Sequence, residues 1–241
     1  MEDRYSMKIK FEAYKREVEL LSPLELIGFF LDRHPGRVAF SSSLGAEDQA
    51  LTHMLAGLGK PFKLFTLDTG RMFQESYELL EITRQKYNLP FEVYFPEASQ
   101  VEKMVTEKGI NLFYESVENR KQCCHIRKIE PLRRALRGME IWITGVRRDQ
   151  SVTRGGTGVL EWDADLGLIK VNPLIEWSSE DVWNYIREQK VPYNTLHDQG
   201  FPSIGCLPCT RAVLPGEDIR AGRWWWENPE LKECGLHLPK K

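Results

Sequence analysis

Apolar and polar positions along this chain repeat with a helical period in some stretches and a strand period in others. Residues 8–34 read as helical, interrupted at Ser22-Pro23-Leu24-Glu25, which has the form of a capping box with proline at the first helical position. Leu26, Ile27, Phe29, Phe30 and Leu31 then form an apolar side, and Pro35-Gly36 stops the helix. Arg37 to Phe40 reads as a short buried strand that runs through Ser41-Ser42-Ser43-Leu44-Gly45-Ala46-Glu47-Asp48 into a helix ending near Leu58. Pro61 to Leu67 is a second strand, followed by the loop Leu67-Asp68-Thr69-Gly70 and a helix from Phe73 to Tyr87. Phe91 to Phe95 alternates as a third strand, and Glu97 to Glu107 is a third helix of this series. Ile141 to Val146 and Leu168 to Leu174 are further strands, with loops and a hairpin over 153–167. Pro131 marks a new helix start or a kink, and Ser178 caps a helix from Val182 to Gln189.

Strands alternating with helices predict an α/β fold: a parallel-rich twisted sheet with helices on both faces. Residues 1–214 are expected to form a single domain, and 215–241 a mobile C-terminal tail. In such sheets ligands bind beyond the carboxyl ends of the strands, where Ser41–Ser43 and Asp68-Thr69-Gly70 would both sit. A strand, a loop of small residues and a helix N-terminus can present N–H groups and hydroxyls to a phosphate, although the same pattern also describes an ordinary capped turn.

Composition narrows the class. The 241 residues are 41% hydrophobic and 28% charged, with a formal net charge of −2, so bulk charge gives no reason to expect nucleic acid or a membrane surface. No apolar run approaches the ~20 residues of a membrane span. Five cysteines, two of them adjacent and two in a C-x-x-C, make a poor disulfide framework and point to a reducing, cytoplasmic setting.

The chemistry concentrates in two places. Lys121-Gln-Cys123-Cys124-His-Ile-Arg127-Lys128 pairs two thiols with two cations, and Cys206-Leu-Pro-Cys209 supplies two more thiols. Four thiolates suit either a tetrahedral zinc ion or a 4Fe–4S cluster. Adjacent cysteines reach a single small ion only with backbone strain, which favours the cluster. Residues 120–137 carry seven Lys or Arg, a density usually found on a solvated helix face. A second candidate anion clamp, Gly145-Val-Arg147-Arg148-Asp-Gln150-Ser151, lies at the end of a strand. Cys234 stands alone near the terminus. It reads either as a spare thiol or as a nucleophile on a carrier that visits two partners. An unperturbed thiol, pKa ~8.5, is only a few per cent ionised at neutral pH, so an active Cys234 needs nearby cations. Arg220 and Arg223, or Arg127 and Lys128, are placed to supply them. Trp224-Trp225-Trp226 reads as packing, with stacking on Arg223.

Taken together, Cys-Cys-x-x-Arg-Lys, Cys-x-x-Cys, Arg-x-x-Arg-Trp-Trp-Trp and Glu-Cys-Gly-Leu-His resemble the assimilatory adenylylsulfate (APS) reductases. Ser-Ser-Ser-Leu-Gly-Ala-Glu-Asp, Leu-Asp-Thr-Gly and Thr-Gly-x-Arg-x-x-Gln-Ser are similar to nucleotide-binding motifs of the wider APS/PAPS reductase family. The resemblance runs from about residue 20 to the tail and implies an adenine-nucleotide α-hydrolase-like fold. It implies a 4Fe–4S cluster on Cys123, Cys124, Cys206 and Cys209, with adenosine 5′-phosphosulfate (APS) as substrate. Cys234 would attack the sulfate sulfur and release AMP, and thioredoxin or glutaredoxin would free sulfite from the S-sulfocysteine. Lys128, Arg220 and Arg223 are the implied charge-stabilising residues. Ser42, Ser43, Leu67, Asp68, Thr69, Gly70, Arg127, Gly145 and Arg147 are the implied substrate contacts. The family often forms homo-oligomers.

Three rivals stand beside this reading. A PAPS or dual APS/PAPS reductase would need extra cations near the ribose, and PAPS-specific members generally lack the two cysteine pairs. An ATP pyrophosphatase such as a tRNA-thiolating enzyme would carry paired glycines where this chain has Ser42-Ser43-Leu44-Gly45. A zinc-binding or nucleic-acid module leaves Cys234 unexplained.

Overall fold

The computed structural model describes residues 2–150 and 156–228, with side chains from residue 5 onward. Two helices open the chain, α1 (Glu2–Glu17) and α2 (Pro23–Arg33). The expected capping box separates them: Ser22 Oγ accepts from Glu25 N, and the Glu25 carboxylate accepts from Ser22 N at 2.8 Å. Helix α1 begins earlier than its periodicity suggested, and α2 buries Leu26, Ile27, Phe30 and Leu31.

The central elements follow in the expected order: β1 (Val38–Ser41), α3 (Ala46–Leu58), β2 (Lys63–Leu67), α4 (Gln74–Tyr87), β3 (Phe91–Tyr94) and α5 (Ala98–Lys108). Next come α6 (Val117–Cys124), α7 (Glu130–Ala135), β4 (Ile141–Ile143), β5 (Leu160–Asp163), β6 (Leu168–Val171) and α8 (Ser179–Glu188). The six strands form one sheet in the order β3-β2-β1-β4-β6-β5. All neighbours are parallel except β5, which pairs antiparallel with β6; the hairpin expected within 153–167 is thus completed by the strand expected from Leu168.

Both faces of the sheet are covered. Val38, Phe40, Leu64, Ile141, Ile143, Ile169 and Val171 face one core, shared with apolar residues of α1, α2 and α3. Ala39, Phe65, Trp142 and Leu168 face the other, against Leu132, Ala135 and Leu136. This is the two-residue alternation of a strand, read out on two separate cores.

Strands β4 and β6 are shorter than their apolar runs. Thr144 N still bonds Val171 O at 2.9 Å and Asn172 N bonds Val159 O at 2.8 Å, while Thr144 Oγ1 donates to Asn172 Oδ1. Pro131 produces no break. It sits at the start of α7, after a π-helical turn at His125–Ile129 that continues α6. Proline has no N–H for the carbonyl four residues back, so the turn widens, and Glu130 N bonds His125 O across five residues.

Candidate active site

The strand order reverses at β1. From β1 the chain moves outward through β2 and β3, and β4 lies on the opposite side. A crevice therefore opens beyond the carboxyl ends of β1 and β4, the place where ligands bind in open parallel sheets. The cavity there has a volume of about 230 Å³. Its walls include Ser41–Ser43, Glu47, Asp48, Leu67, Thr69, Gly145 and Arg147 from the strand ends. Lys128, Cys206, Arg220, Arg223 and Trp224 close it from the other side. Residues more than 150 positions apart in the chain thus share one pocket.

The β1–α3 loop is held by its own carboxylate. Asp48 accepts from both Ser43 N and Ser43 Oγ at 2.6 Å. Ser42 Oγ accepts from Leu44 N at 3.2 Å, and Leu44 takes a left-handed φ of 62°. Burial pushes the Asp48 carboxyl up to about 6, against the Ser43 bonds that favour its ionised form. Gly145 passes directly over this group: a Cβ there would overlap Asp48 Oδ1 and lie 3.1 Å from Glu47 Cβ.

Arg147 is placed in the cavity as expected, but it is not held in reserve for an anion. Its Nε donates to Glu47 Oε1 at 2.9 Å, and its Nη1 donates to Asp149 and to Trp177 O. Ser43 is likewise engaged with Asp48. Neither Glu47 nor Asp48 stood out as a site residue in the sequence, although both belong to the loop read as a nucleotide motif. His197 was also missed. It lines the cavity with its ring edge-on to Trp183 at 5.1 Å, and burial lowers its pKa.

The β2 loop points the same way. Asp68 accepts from Gly70 N at 2.7 Å and from Tyr77 Oη at 3.0 Å; burial, then this bond, pushes the Tyr77 phenol up to about 12. Arg127, from the π turn, donates to Thr69 O at 2.6 Å, and its guanidinium lies 3.3 Å from where a Gly70 Cβ would stand. Gly70 has φ of +71°, so both backbone and space require glycine there. Thr69 Oγ1 lies 3.2 Å from Cys206 Sγ, which joins this loop to the cysteines.

The four expected cysteines come together. Cys209 is buried with Met104, Leu112, Phe113 and Trp224, and Cys123, Cys124 and Cys206 pack against the same cluster. None of the four is in a disulfide. Burial pushes the Cys209 thiol up to about 12, opposed by Lys128 and Arg223, and raises the Cys123 thiol, opposed by Arg127. Among the described residues no three His, Cys, Asp or Glu side chains converge as a site for one metal ion. The donors around the sulfurs are unusual. Trp224 Nε1, Trp226 Nε1, Arg127 Nε and Arg223 Nε are buried without an acceptor. Buried N–H groups normally find partners. Four thiols sharing a cluster with the unpartnered Trp224 and Trp226 N–H groups form a donor set that a sulfide-rich cluster fits, because its sulfurs accept such bonds.

The C-terminal segment is fastened to this region. Arg223 donates to Ser203 Oγ and Ile204 O at 3.3 Å and lies 4.8 Å over the Trp224 ring, the stacking expected from the sequence. Its guanidinium takes the space a Gly205 side chain would fill. Trp224 and Trp226 pack in the cysteine cluster, while Trp225 is turned partly outward. Glu227 is buried in a two-point ion pair with Arg120, at 2.9 and 2.7 Å. Arg120 belongs to a run of which some members were expected on a solvated face; it is 1% exposed. Cys234 lies outside the described residues.

These features agree with comparisons to known proteins. A family model described as the phosphoadenosine phosphosulfate reductase domain matches residues 37–212. An adenosine 5′-phosphosulfate reductase of Allochromatium vinosum is 53% identical over 83% of this chain and 78% of its own length. Another, from Burkholderia cepacia, is 51% identical over 86% and 82%. The crystal structure of a phosphoadenylyl-sulfate reductase from Candida auris superposes with a TM-score of 0.71 at 27% identity, covering 84% of this chain and 96% of that one. The fold, the gathered cysteines and these relatives lead to one conclusion: the chain belongs to the adenosine 5′-phosphosulfate reductases of the phosphoadenosine phosphosulfate reductase family.

Proposed function

We propose that this chain reduces adenosine 5′-phosphosulfate to sulfite and AMP, with Cys234 as nucleophile and thioredoxin or glutaredoxin as electron donor. The observation that carries the reading is the set of three cations, Lys128, Arg220 and Arg223, on the cavity wall beside the cysteines. A sulfate sulfur is shielded by anionic oxygens. A thiolate approaches it only where fixed positive charge offsets that repulsion and follows the negative charge as it moves onto the departing phosphate. The Cys234 thiolate forms an S–S bond to the sulfate sulfur while the S–O bond to AMP breaks, and AMP leaves with the electron pair. A thiolate of the reductant then attacks Cys234 Sγ and sulfite departs. The second thiol of the reductant resolves the mixed disulfide, so the dithiol supplies the two electrons.

Asp68, Leu67, Thr69 and Gly70 are assigned to the adenosine, and Ser42 to the phosphosulfate side of the crevice. Cys123, Cys124, Cys206 and Cys209 would hold a 4Fe–4S cluster. When bound, it would fix the π turn that carries Arg127 and Lys128, so that these cations, rather than the thiolate-ligated cluster itself, supply positive charge near the substrate. The setting is cytoplasmic, where the reductant is available and thiols stay reduced.

Incubation with ³⁵S-labelled APS in the absence of reductant tests this. One label per chain, on Cys234 and released by thioredoxin as sulfite, is the expected result. Label retained by Cys234→Ala refutes the assignment of the nucleophile. Iron and sulfide analysis of anaerobically purified protein tests the cluster, with four of each expected per chain for a 4Fe–4S centre.

A further inference from the structure

The family model is described by a nucleotide carrying an extra phosphate, and the Candida auris neighbour is a reductase of that nucleotide, whereas the bacterial relatives above are named for APS. The two substrates differ by one ribose phosphate, a group of roughly −1.5 to −2 charge at neutral pH. The crevice between β1 and β4 shows how this chain tells them apart. The inference rests on the reading just given, with the phosphosulfate toward Lys128, Arg220 and Arg223 and the adenosine at Leu67–Gly70, and it takes the ribose to lie against the Gly45–Asp48 turn and Arg147, which line the same cavity.

That corner has the parts of an anion site. Helix α3 starts there at Gly45 with no side-chain cap, and Arg147 reaches it from the end of β4. Exposed N–H groups at a helix N-terminus together with an arginine would attract a phosphate. Here the site is filled from within. Asp48 has taken the Ser43 amide and hydroxyl. Glu47 holds Arg147 Nε at 2.9 Å, and Asp149 with the Trp177 carbonyl holds Nη1. The Arg147 side chain is 3% exposed and that of Glu47 18%, so water screens their pairing weakly. Two carboxylates, Glu47 and Asp149, hold one guanidinium, and an incoming phosphate dianion meets net negative charge.

We propose that Glu47, by holding Arg147, is the specificity-determining residue that refuses a ribose phosphate. Asp48 supports it by occupying the Ser43 amide and hydroxyl, which would otherwise be offered to an anion. Replacing Glu47 by glutamine keeps its shape and removes the charge that competes for Arg147.

The test compares wild type, Glu47→Gln and Glu47→Gln with Arg147→Met. Calorimetric dissociation constants are measured for AMP and for adenosine 3′,5′-bisphosphate, alongside sulfite release from APS and from its 3′-phosphorylated form. Wild type should bind AMP at least tenfold more tightly than the bisphosphate. Glu47→Gln should shift that ratio at least tenfold toward the bisphosphate, and adding Arg147→Met should reverse the shift. An unchanged ratio in a Glu47→Gln protein that still binds AMP overturns the proposal, as does a wild type that binds both nucleotides equally. Should Glu47→Gln fail to fold, Asp149→Asn carries the test. Its carboxylate is half-exposed, and a shift of about threefold in the same direction is expected; no shift refutes the idea. The binding ratio is read without turnover, so an absence of sulfite from APS would count against the proposed reaction and leave this selectivity test standing.

Discussion

The Arg120–Glu227 pair makes a quantitative test of how the C-terminal segment is attached. Both side chains are all but inaccessible, at 1% and 2%, with donor–acceptor distances of 2.9 and 2.7 Å, and Arg120 also lies 4.7 Å over the Trp224 ring. Arg120→Ala leaves the Glu227 carboxylate desolvated without its cation. Breaking a buried pair from one side costs about 3–5 kcal/mol, a large part of the ~5–15 kcal/mol that holds a typical domain together. Replacing both partners with apolar side chains of similar size, Arg120→Met with Glu227→Leu, removes the penalty along with the attraction and should return stability to within about 1–2 kcal/mol of wild type. Urea titrations followed by far-ultraviolet circular dichroism measure wild type, Arg120→Met, Glu227→Leu and the double variant alongside Arg120→Ala, and the coupling between the sites should exceed about 2 kcal/mol. The pair also holds the segment that carries Arg223 and leads toward Cys234, so Arg120→Ala should lose activity even where it remains folded. If Arg120→Ala costs less than about 1 kcal/mol, or if the double variant is no better than the single ones, the pair is not the anchor described here.

Other expectations follow from single contacts. Gly145→Ala puts a methyl group onto Asp48 and against Glu47, and overpacking of this kind should cost about 1–3 kcal/mol in the same titration, together with weaker AMP binding. The Asp48 carboxyl titrates near 6 in the folded chain against an ordinary 3.8, so the native state holds its proton more tightly than the unfolded state does. Stability should therefore fall as pH rises from about 4 to about 6 and then level off. This loss is on the order of 2–3 kcal/mol relative to Asp48→Asn, measured by urea titrations of both proteins across that range. A parallel course for the two proteins would contradict the burial argument. Lys128→Met should lower kcat for sulfite formation by about 10²–10³ while iron content stays constant, which separates charge stabilisation from support of the cysteine site.

Much of the architecture could be read before any coordinates. The capping box at Ser22 and the strand and helix alternation through residue 108 appear where the local pattern put them, while the hairpin expected within 153–167 reaches on to the strand at Leu168. Such features arise within a few residues, because periodicity encodes which face is buried and capping encodes where a helix begins. The cysteines were equally legible, since rare residues at distinctive spacings identify themselves, and the three tryptophans were rightly assigned to packing except for the outward turn of Trp225. Local reasoning was weaker on what happens at the ends of elements. Strands β4 and β6 stop short of their apolar runs at a side-chain bond from Thr144 to Asn172, a pairing set by the tertiary fold. Pro131 is absorbed by a wider turn that no pattern of hydrophobicity announces.

By itself, then, the sequence determined the class of fold, the family and the residue types available for chemistry. The tertiary structure decided which of those residues are already committed. Arg147 and Arg120 look alike as cations in a basic region, yet one is held by Glu47, 100 residues away, and the other by Glu227, 107 residues away. Partners at such separations are chosen by sheet order and by the depth at which each helix packs, and neither quantity is written in any local stretch of the chain.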